Sequence, residues 1–164
     1  MAHKQPDVQE GTSRPPIPKI AYLVVNPLMK LLLRSPLHGL ISDDLMLITF
    51  TGRKSGNTYT TPVGYILMEE GVLMIFTESP WWRNLDAVPE VTLRLRGERV
   101  KGRAEIIEDP DQIRAYLRKM AEKRGEEMLE RMEMDVFDQQ GGIDLDHPAV
   151  QRRKFIRIQL EGKA

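Results

Sequence analysis

The sequence predicts a mainly β domain of the α+β class: a small, closed or partly closed antiparallel barrel with inserted helices. Three observations carry this. Runs rich in β-branched and aromatic residues recur from Leu45 onward, separated by short turns that contain Gly or Pro. Two runs, Val91 to Arg96 and Lys154 to Leu160, alternate apolar and polar residues at period two, as strands with one solvated face do. The regular strand–helix alternation of a parallel α/β sheet is missing.

The elements follow in chain order. Met1 to Lys19 is polar, carries Asp7 and Glu10, and holds Pro6, Pro15, Pro16 and Pro18. Residues 1–19 therefore read as a disordered arm and not as a signal peptide, leaving residues 20–164 as one domain. Pro27 suits the first turn of a helix, with Asn26 as N-cap and Leu28, Leu31 and Leu32 on one face, which predicts a short amphipathic helix over 27–33. Ser35-Pro36 and His38-Gly39 punctuate the chain after it. Leu45 to Thr51 and Thr58 to Leu67 read as strands joined by a hairpin with a cationic tip, Gly52-Arg53-Lys54-Ser55-Gly56-Asn57. Glu70-Gly71 turns the chain into a third strand, Val72 to Thr77, completing an antiparallel meander. Ser79-Pro80 offers an N-cap and a first-turn proline for a short helix, Trp81 to Ala87, stopped at Pro89.

Val91 to Arg96 is expected to turn at Gly97-Glu98 and pair with Val100 to Ile107. Asp109-Pro110 opens a helical segment reaching about Arg131, in which Ile113, Tyr116, Leu117, Met120 and Ala121 recur at helical spacing and Gly125 marks a division into two helices. Asp138 to His147 reads as a loop, and Lys154 to Leu160 is the sixth and closing strand.

Composition narrows the chemistry. A chain of 164 residues, 41% hydrophobic, can bury one core without a staple, since folding at this length buries roughly 70% of the surface of the unfolded chain. The absence of cysteine excludes a disulfide scaffold, a thiolate nucleophile, Cys-ligated zinc and iron–sulfur clusters, and favours a cytoplasmic setting. The 24 basic and 24 acidic side chains cancel, so no net field draws nucleic acid to the molecule. The most apolar stretch, Ile20 to Leu33, is broken by Asn26-Pro27 and Lys30 and falls short of the ~20 residues a transmembrane helix needs. With Lys19, Lys30 and Arg34 beside it, that stretch reads either as a helix packed on its own barrel or as a peripheral membrane contact.

The sequence has no G-x-S-x-G elbow, H-E-x-x-H, G-x-G-x-x-G or Walker A loop. His3, His38 and His147 lie in a tail and two loops without ligand spacing; they read as solvated or locally hydrogen-bonded, and no metal site is expected. Asp43-Asp44, Asp109 and Asp111 read as caps and charged turns, so no catalytic acid or base is identified.

Two stretches remain. Gly52-Arg53-Lys54-Ser55-Gly56 offers a guanidinium, an ammonium and a hydroxyl, with glycines that let backbone N–H groups approach an anion. It reads either as a phosphate-holding turn or as a polar hairpin tip kept soluble by its charges. In Trp81-Trp82-Arg83-Asn84-Leu85, an aromatic beside Arg83 can stack on a heterocycle and Asn84 can bond a carbonyl; the alternative is a Trp filling the barrel end and an Asn closing a turn. Arg94, Arg96, Arg99, Lys101 and Arg103 make a basic hairpin opposed by Glu98 alone, a pattern of solvated faces, an intermolecular contact or an anion path.

Taken in order, Asn26-Pro27-Leu28-Met29, Ser35-Pro36-Leu37-His38, Thr51-Gly52-Arg53-Lys54-Ser55-Gly56, Pro62-Val63-Gly64-Tyr65, Trp82-Arg83-Asn84-Leu85 and Leu95-Arg96-Gly97 resemble the deazaflavin (coenzyme F420)-dependent nitroreductase family, from about Tyr22 to Leu160. The resemblance implies a six-stranded split β-barrel of the flavin-reductase and pyridoxamine-phosphate-oxidase type, paired as a homodimer. It implies an F420-dependent oxidoreductase that transfers a hydride from the reduced deazaflavin to a small organic acceptor: an activated alkene, a quinone or a nitro compound. By position Arg53, Lys54, Ser55 and Gly56 take the phosphate end of the cofactor. Pro62 and the surroundings of Tyr65 lie beneath the ring system with Trp82 near it, and Thr61, Arg83 and Asn84 complete the cofactor-binding set. Such chemistry asks the protein for orientation more than for acid–base side chains. The same barrel in other proteins takes FMN, other flavins or haem, so an FMN-binding reductase and a noncatalytic cofactor-binding protein are the other readings.

Overall fold

The computed structural model describes residue 27 and residues 45–125, 129, 136–137 and 140–162. The proline-rich arm, the expected first helix beyond Pro27, His3, His38, Asp43-Asp44 and most of the segment after Gly125 lie outside these residues.

Among the described residues, seven strands make one antiparallel sheet: β1 (Leu45–Thr51), β2 (Thr58–Gly64), β3 (Ile66–Glu69), β4 (Val72–Thr77), β5 (Glu90–Leu95), β6 (Glu98–Ile107) and β7 (Lys154–Leu160), in the order β2-β1-β5-β6-β7-β4-β3. The expected count of six is therefore corrected. The run Thr58 to Leu67 is two strands, because the chain changes partners at Tyr65: β2 pairs with β1 from Thr51↔Thr58 to Leu45↔Gly64, whereas β3 pairs with β4. The expected antiparallel meander holds through both halves of the run, each pairing with the strand next to it in sequence, and β7 is the other neighbour of β4. Continuous β-propensity through 58–67 says nothing about which strand each half will meet.

This change of partners shapes the molecule. The two edge strands, β2 and β3, are joined by the single residue Tyr65. A flat sheet of seven strands would hold its edges roughly 29 Å apart, far beyond the ~7 Å that one intervening residue spans. The sheet must curl on itself, giving a mainly β half-barrel with few helices.

Apolar alternation fills its interior. Met46, Ile48 and Phe50 of β1 meet Leu73 and Ile75 of β4, Leu93 of β5, and Ile156 and Ile158 of β7. A second layer lies on the opposite face, where Ile66, Met68, Met74 and Phe155 pack against Leu117 and Met120 of helix α2 (Pro110–Arg124). β4 is thus covered on both sides, which explains its unbroken apolar run. At Gly102 of β6 an added Cβ would meet Ile158 Cγ2 at 2.8 Å and the Gln159 carbonyl oxygen at 3.0 Å, so only glycine lets β6 and β7 approach this closely.

Local signals account for the connections. The β5–β6 turn is Arg96-Gly97, one residue earlier than expected; both have positive φ (49° and 84°), as a two-residue hairpin of type I′ requires. Asp109 caps α2 by accepting from the Gln112 N–H at 2.8 Å, and Gly125, at φ 80°, ends it. A short helix α1 (Trp82–Ala87) starts one residue later than expected, with Trp81 in the capping position and no side-chain cap. A further helix, α3 (Pro148–Gln151), follows the 140–147 loop and is capped by His147, whose Nδ1 accepts from the Ala149 N–H at 3.2 Å. His147 is thus the local hydrogen-bonding residue expected. No helix among the described residues is long and apolar enough to cross a membrane.

Candidate functional site

The β1–β2 hairpin projects its tip past the end of the barrel, where it faces α1 across a cleft of about 580 Å3. The tip closes on itself: Gly52 N–H donates to the Asn57 carbonyl and Gly56 N–H to the Gly52 carbonyl, each at 2.8 Å. Gly56 sits at φ 68°, the left-handed region that glycine enters without strain. Gly52 is required for a different reason, because a Cβ there would stand 2.6 Å from Tyr59 Cε2 and 2.7 Å from Ser55 Oγ. Those two side chains brace the turn from inside, with Ser55 Oγ 3.1 Å from the Tyr59 hydroxyl and accepting from the Asn57 N–H at 3.2 Å.

Asn84 ties the tip to the opposite wall. Its Oδ1 accepts from the Arg53 N–H at 3.0 Å and its Nδ2 donates to the Trp81 carbonyl at 2.9 Å. Beneath the tip lies an aromatic floor, in which Phe50 stacks on Trp81 (centroids 5.3 Å apart, planes at 21°) and on Tyr59 (6.0 Å, 29°). Tyr59, stacked on Phe50 and bonded to Ser55, still leaves 46% of its surface exposed toward the cleft. Among the described residues, Arg53, Lys54 and Arg83 are the charged ones of the cleft wall, and none of the lining residues is a carboxylate. The result is a positive rim above a planar apolar floor.

Of the residues implicated by sequence, Arg53, Lys54, Ser55, Thr61, Arg83 and Asn84 are brought together here. Gly56 shapes the turn without lining the cleft. Pro62, on β2, pairs with Leu47 of β1, and Tyr65 is buried in the barrel interior at 4% exposure. Trp82 faces a separate groove beside Leu85, Ala104 and Ile106, with Arg83 Cζ and Lys154 Nζ 5.1 and 5.0 Å from its ring centre. Lys154 also bonds Glu108 at 2.9 Å, and that hydrogen bond, reinforced by the lysine's charge, holds the Glu108 carboxyl below its ordinary value. Tyr116 lies on α2, where its hydroxyl meets Arg157. Phe50, Tyr59 and Trp81 are the aromatic cleft residues absent from the sequence-derived set, as are Thr60 and Pro80 of its wall. The available signal was Tyr59, a lone aromatic in the threonine run directly after the cationic tip.

The fold is thus a curled antiparallel sheet with a cationic, aromatic-floored cleft at one end. The sequence matches the family described as F420H(2)-dependent quinone reductase over residues 36–131, more than half of its length, and the chain belongs to that family. No curated protein matches the chain. Solved structures similar to it include an F420-H2 dependent reductase, FDR-A (16% identity, 71% of this chain and 94% of that one, TM-score 0.46). Others are a putative pyridoxamine 5'-phosphate oxidase from Listeria innocua (14%, 77% and 90%, 0.49) and the heme storage protein HutZ from Vibrio cholerae (14%, 83% and 89%, 0.47).

Proposed function

We propose that the chain is an F420-dependent oxidoreductase that reduces a small organic acceptor, with a quinone first among the candidates because of the family to which it belongs. The observation that supports this most is the cleft itself: Arg53, Lys54 and Arg83, with no carboxylate among the described lining residues, above the Phe50–Trp81 stack. These residues fit a planar cofactor with a phosphate-bearing tail. Arg53, Lys54 and Ser55 would hold the phosphate through charge-assisted hydrogen bonds, while Trp81, Phe50 and Tyr59 would carry the ring system and keep water from its face. When bound, the reduced deazaflavin supplies the hydride. The protein contributes alignment, since Asn84 fixes the distance between the tip and the Trp81 floor and thereby the ring's orientation to an acceptor. Pairing into a homodimer belongs to the same reading, and sedimentation velocity tests it by finding or failing to find a two-chain particle.

Parallel titrations with F420 and FMN, followed by tryptophan emission and cofactor polarisation, test the cofactor. Micromolar or tighter binding of F420, with quenching lost in Trp81→Phe and kept in Trp82→Phe, is expected. Lys54→Ala and Arg53→Ala should each weaken binding by roughly 1–3 kcal/mol. Unchanged affinity in both would move the anionic end elsewhere, and a preference for FMN would change the enzyme class. Binding of F420 without oxidation of its reduced form by quinones or nitro compounds would leave a noncatalytic carrier.

A further inference from the structure

We propose that the outer face of β1, β5 and β6 carries a second anion site, built on Arg94 and Arg99 and separate from the cleft. The sheet register places these two arginines directly opposite each other on β5 and β6, so their side chains leave the same face. Like charges in that position repel, yet no carboxylate pairs with either of them among the described residues. The same hairpin does supply a partner elsewhere: Arg103, opposite Glu90 on this face, is bonded to it at 2.6 Å. Arg94 Nε is moreover buried without a hydrogen-bond partner, and a buried N–H in that state is costly.

Both costs fall on one depression of about 230 Å3, which also has threonine hydroxyls in its wall. Thr60, Thr49 and Thr92 stand in one cross-strand row, next to the row that contains Leu47, Arg94 and Arg99. Thr49 Oγ1 and Thr60 Oγ1 are 2.9 Å apart. One hydroxyl donates to the other, which leaves the second proton for an incoming acceptor. An oxyanion seated there would separate the two guanidinium charges, take the Nε–H of Arg94 and accept from a threonine. The volume admits a group the size of a phosphate, far smaller than a whole cofactor, and the recognising chemistry is that of a phosphate ion or the phosphate of a small ester. Thr60 is the residue this depression shares with the cleft, so the two sites adjoin and the test must separate them.

The experiment is a titration of the full chain with inorganic phosphate and with glycerol 3-phosphate at ionic strength matched by chloride. Binding is read by calorimetry and by the arginine Nε–H signals, which R94K and R99K assign by deletion of one signal each. Saturable binding that moves those two signals is expected. It should weaken by about tenfold or more in R99Q, an exposed substitution that spares the fold, and persist in K54A. Tighter binding of the ion marks a site for free phosphate, and tighter binding of the ester marks one for the head of a larger ligand; either supports the proposal. Absence of saturable binding, affinity unchanged in R99Q and R94K, or loss of binding in K54A with movement of the Arg53 signal would overturn it.

Discussion

Asn84 holds both walls of the cleft, since one end of its amide accepts from the hairpin tip and the other donates to the segment that carries Trp81. Asn84→Ala removes both bonds and should cost about 1 kcal/mol of stability. The loss of F420 affinity should be larger, because the tip and the floor then vary independently; thermal melts and the cofactor titration measure the two effects. Gly52→Ala makes the complementary case. Its Cβ would displace the Tyr59 ring and Ser55 hydroxyl that brace the turn; both belong to exposed residues that can swing outward, so binding should suffer more than folding. A melting temperature that falls steeply with intact binding would contradict this. Glu108 gives a pH test. Lys154 lowers its carboxyl pKa in the folded state, so the pair contributes stability above the unfolded value near 4.5 that is lost as pH falls through the lower folded value. Urea titrations at pH 7 and at pH 3 should show a smaller acid-side loss in Glu108→Gln than in the wild type.

At the scale of elements, short-range chemistry decided most boundaries. Asp109-Pro110 and Gly125 bound α2 because a carboxylate oxygen can take the Gln112 N–H and because glycine tolerates φ 80°. Asp109→Ala should therefore cost about 1 kcal/mol in urea denaturation and leave cofactor affinity unchanged, since α2 lies on the far side of the β4 layer from the barrel interior. Where short-range signals compete, sequence reasoning slipped. Ser79-Pro80 looks like a helix start, yet the Ser79 N–H donates to Thr77 Oγ1 and α1 begins at Trp82. That one-residue offset has a large effect on the site: it directs Trp81 to the cleft and Trp82 to the groove shared with Lys154. Helix α3 is only four residues long, too short for periodicity to show.

The whole molecule depends on closing a seven-stranded sheet around one apolar interior. Within the sheet, β6 and β7 come close at Gly102, where the Ile158 side chain and the Gln159 carbonyl of β7 leave no room for a Cβ and the carbonyl, held in the sheet, cannot move aside. Gly102→Ala should destabilise the fold by roughly 1–3 kcal/mol in urea denaturation, more than Gly52→Ala at the exposed tip. Equal costs at the two positions would mean that the barrel relaxes more than its packing implies. The cleft exists because the same closure brings the β1–β2 tip against α1, which enters the chain between β4 and β5.

By itself the sequence determined the strand set apart from one break, the hairpin turns to within a residue, the capping of α2 and the cationic tip. Each of these depends on neighbours within a few positions, through side-chain alternation, cap donors or glycine's access to positive φ. The motif set also carried the family, because the order of short stretches along the chain needs no tertiary structure to read. Tertiary structure alone decided that Thr58 to Leu67 serves two sheet edges, that β4 is covered on both faces, and that Trp81, Phe50 and Tyr59 floor the cleft. It also decided that Arg94 faces Arg99. Strand partners and the direction of an aromatic ring are set by contacts between residues far apart in the chain, and propensity carries no record of those contacts.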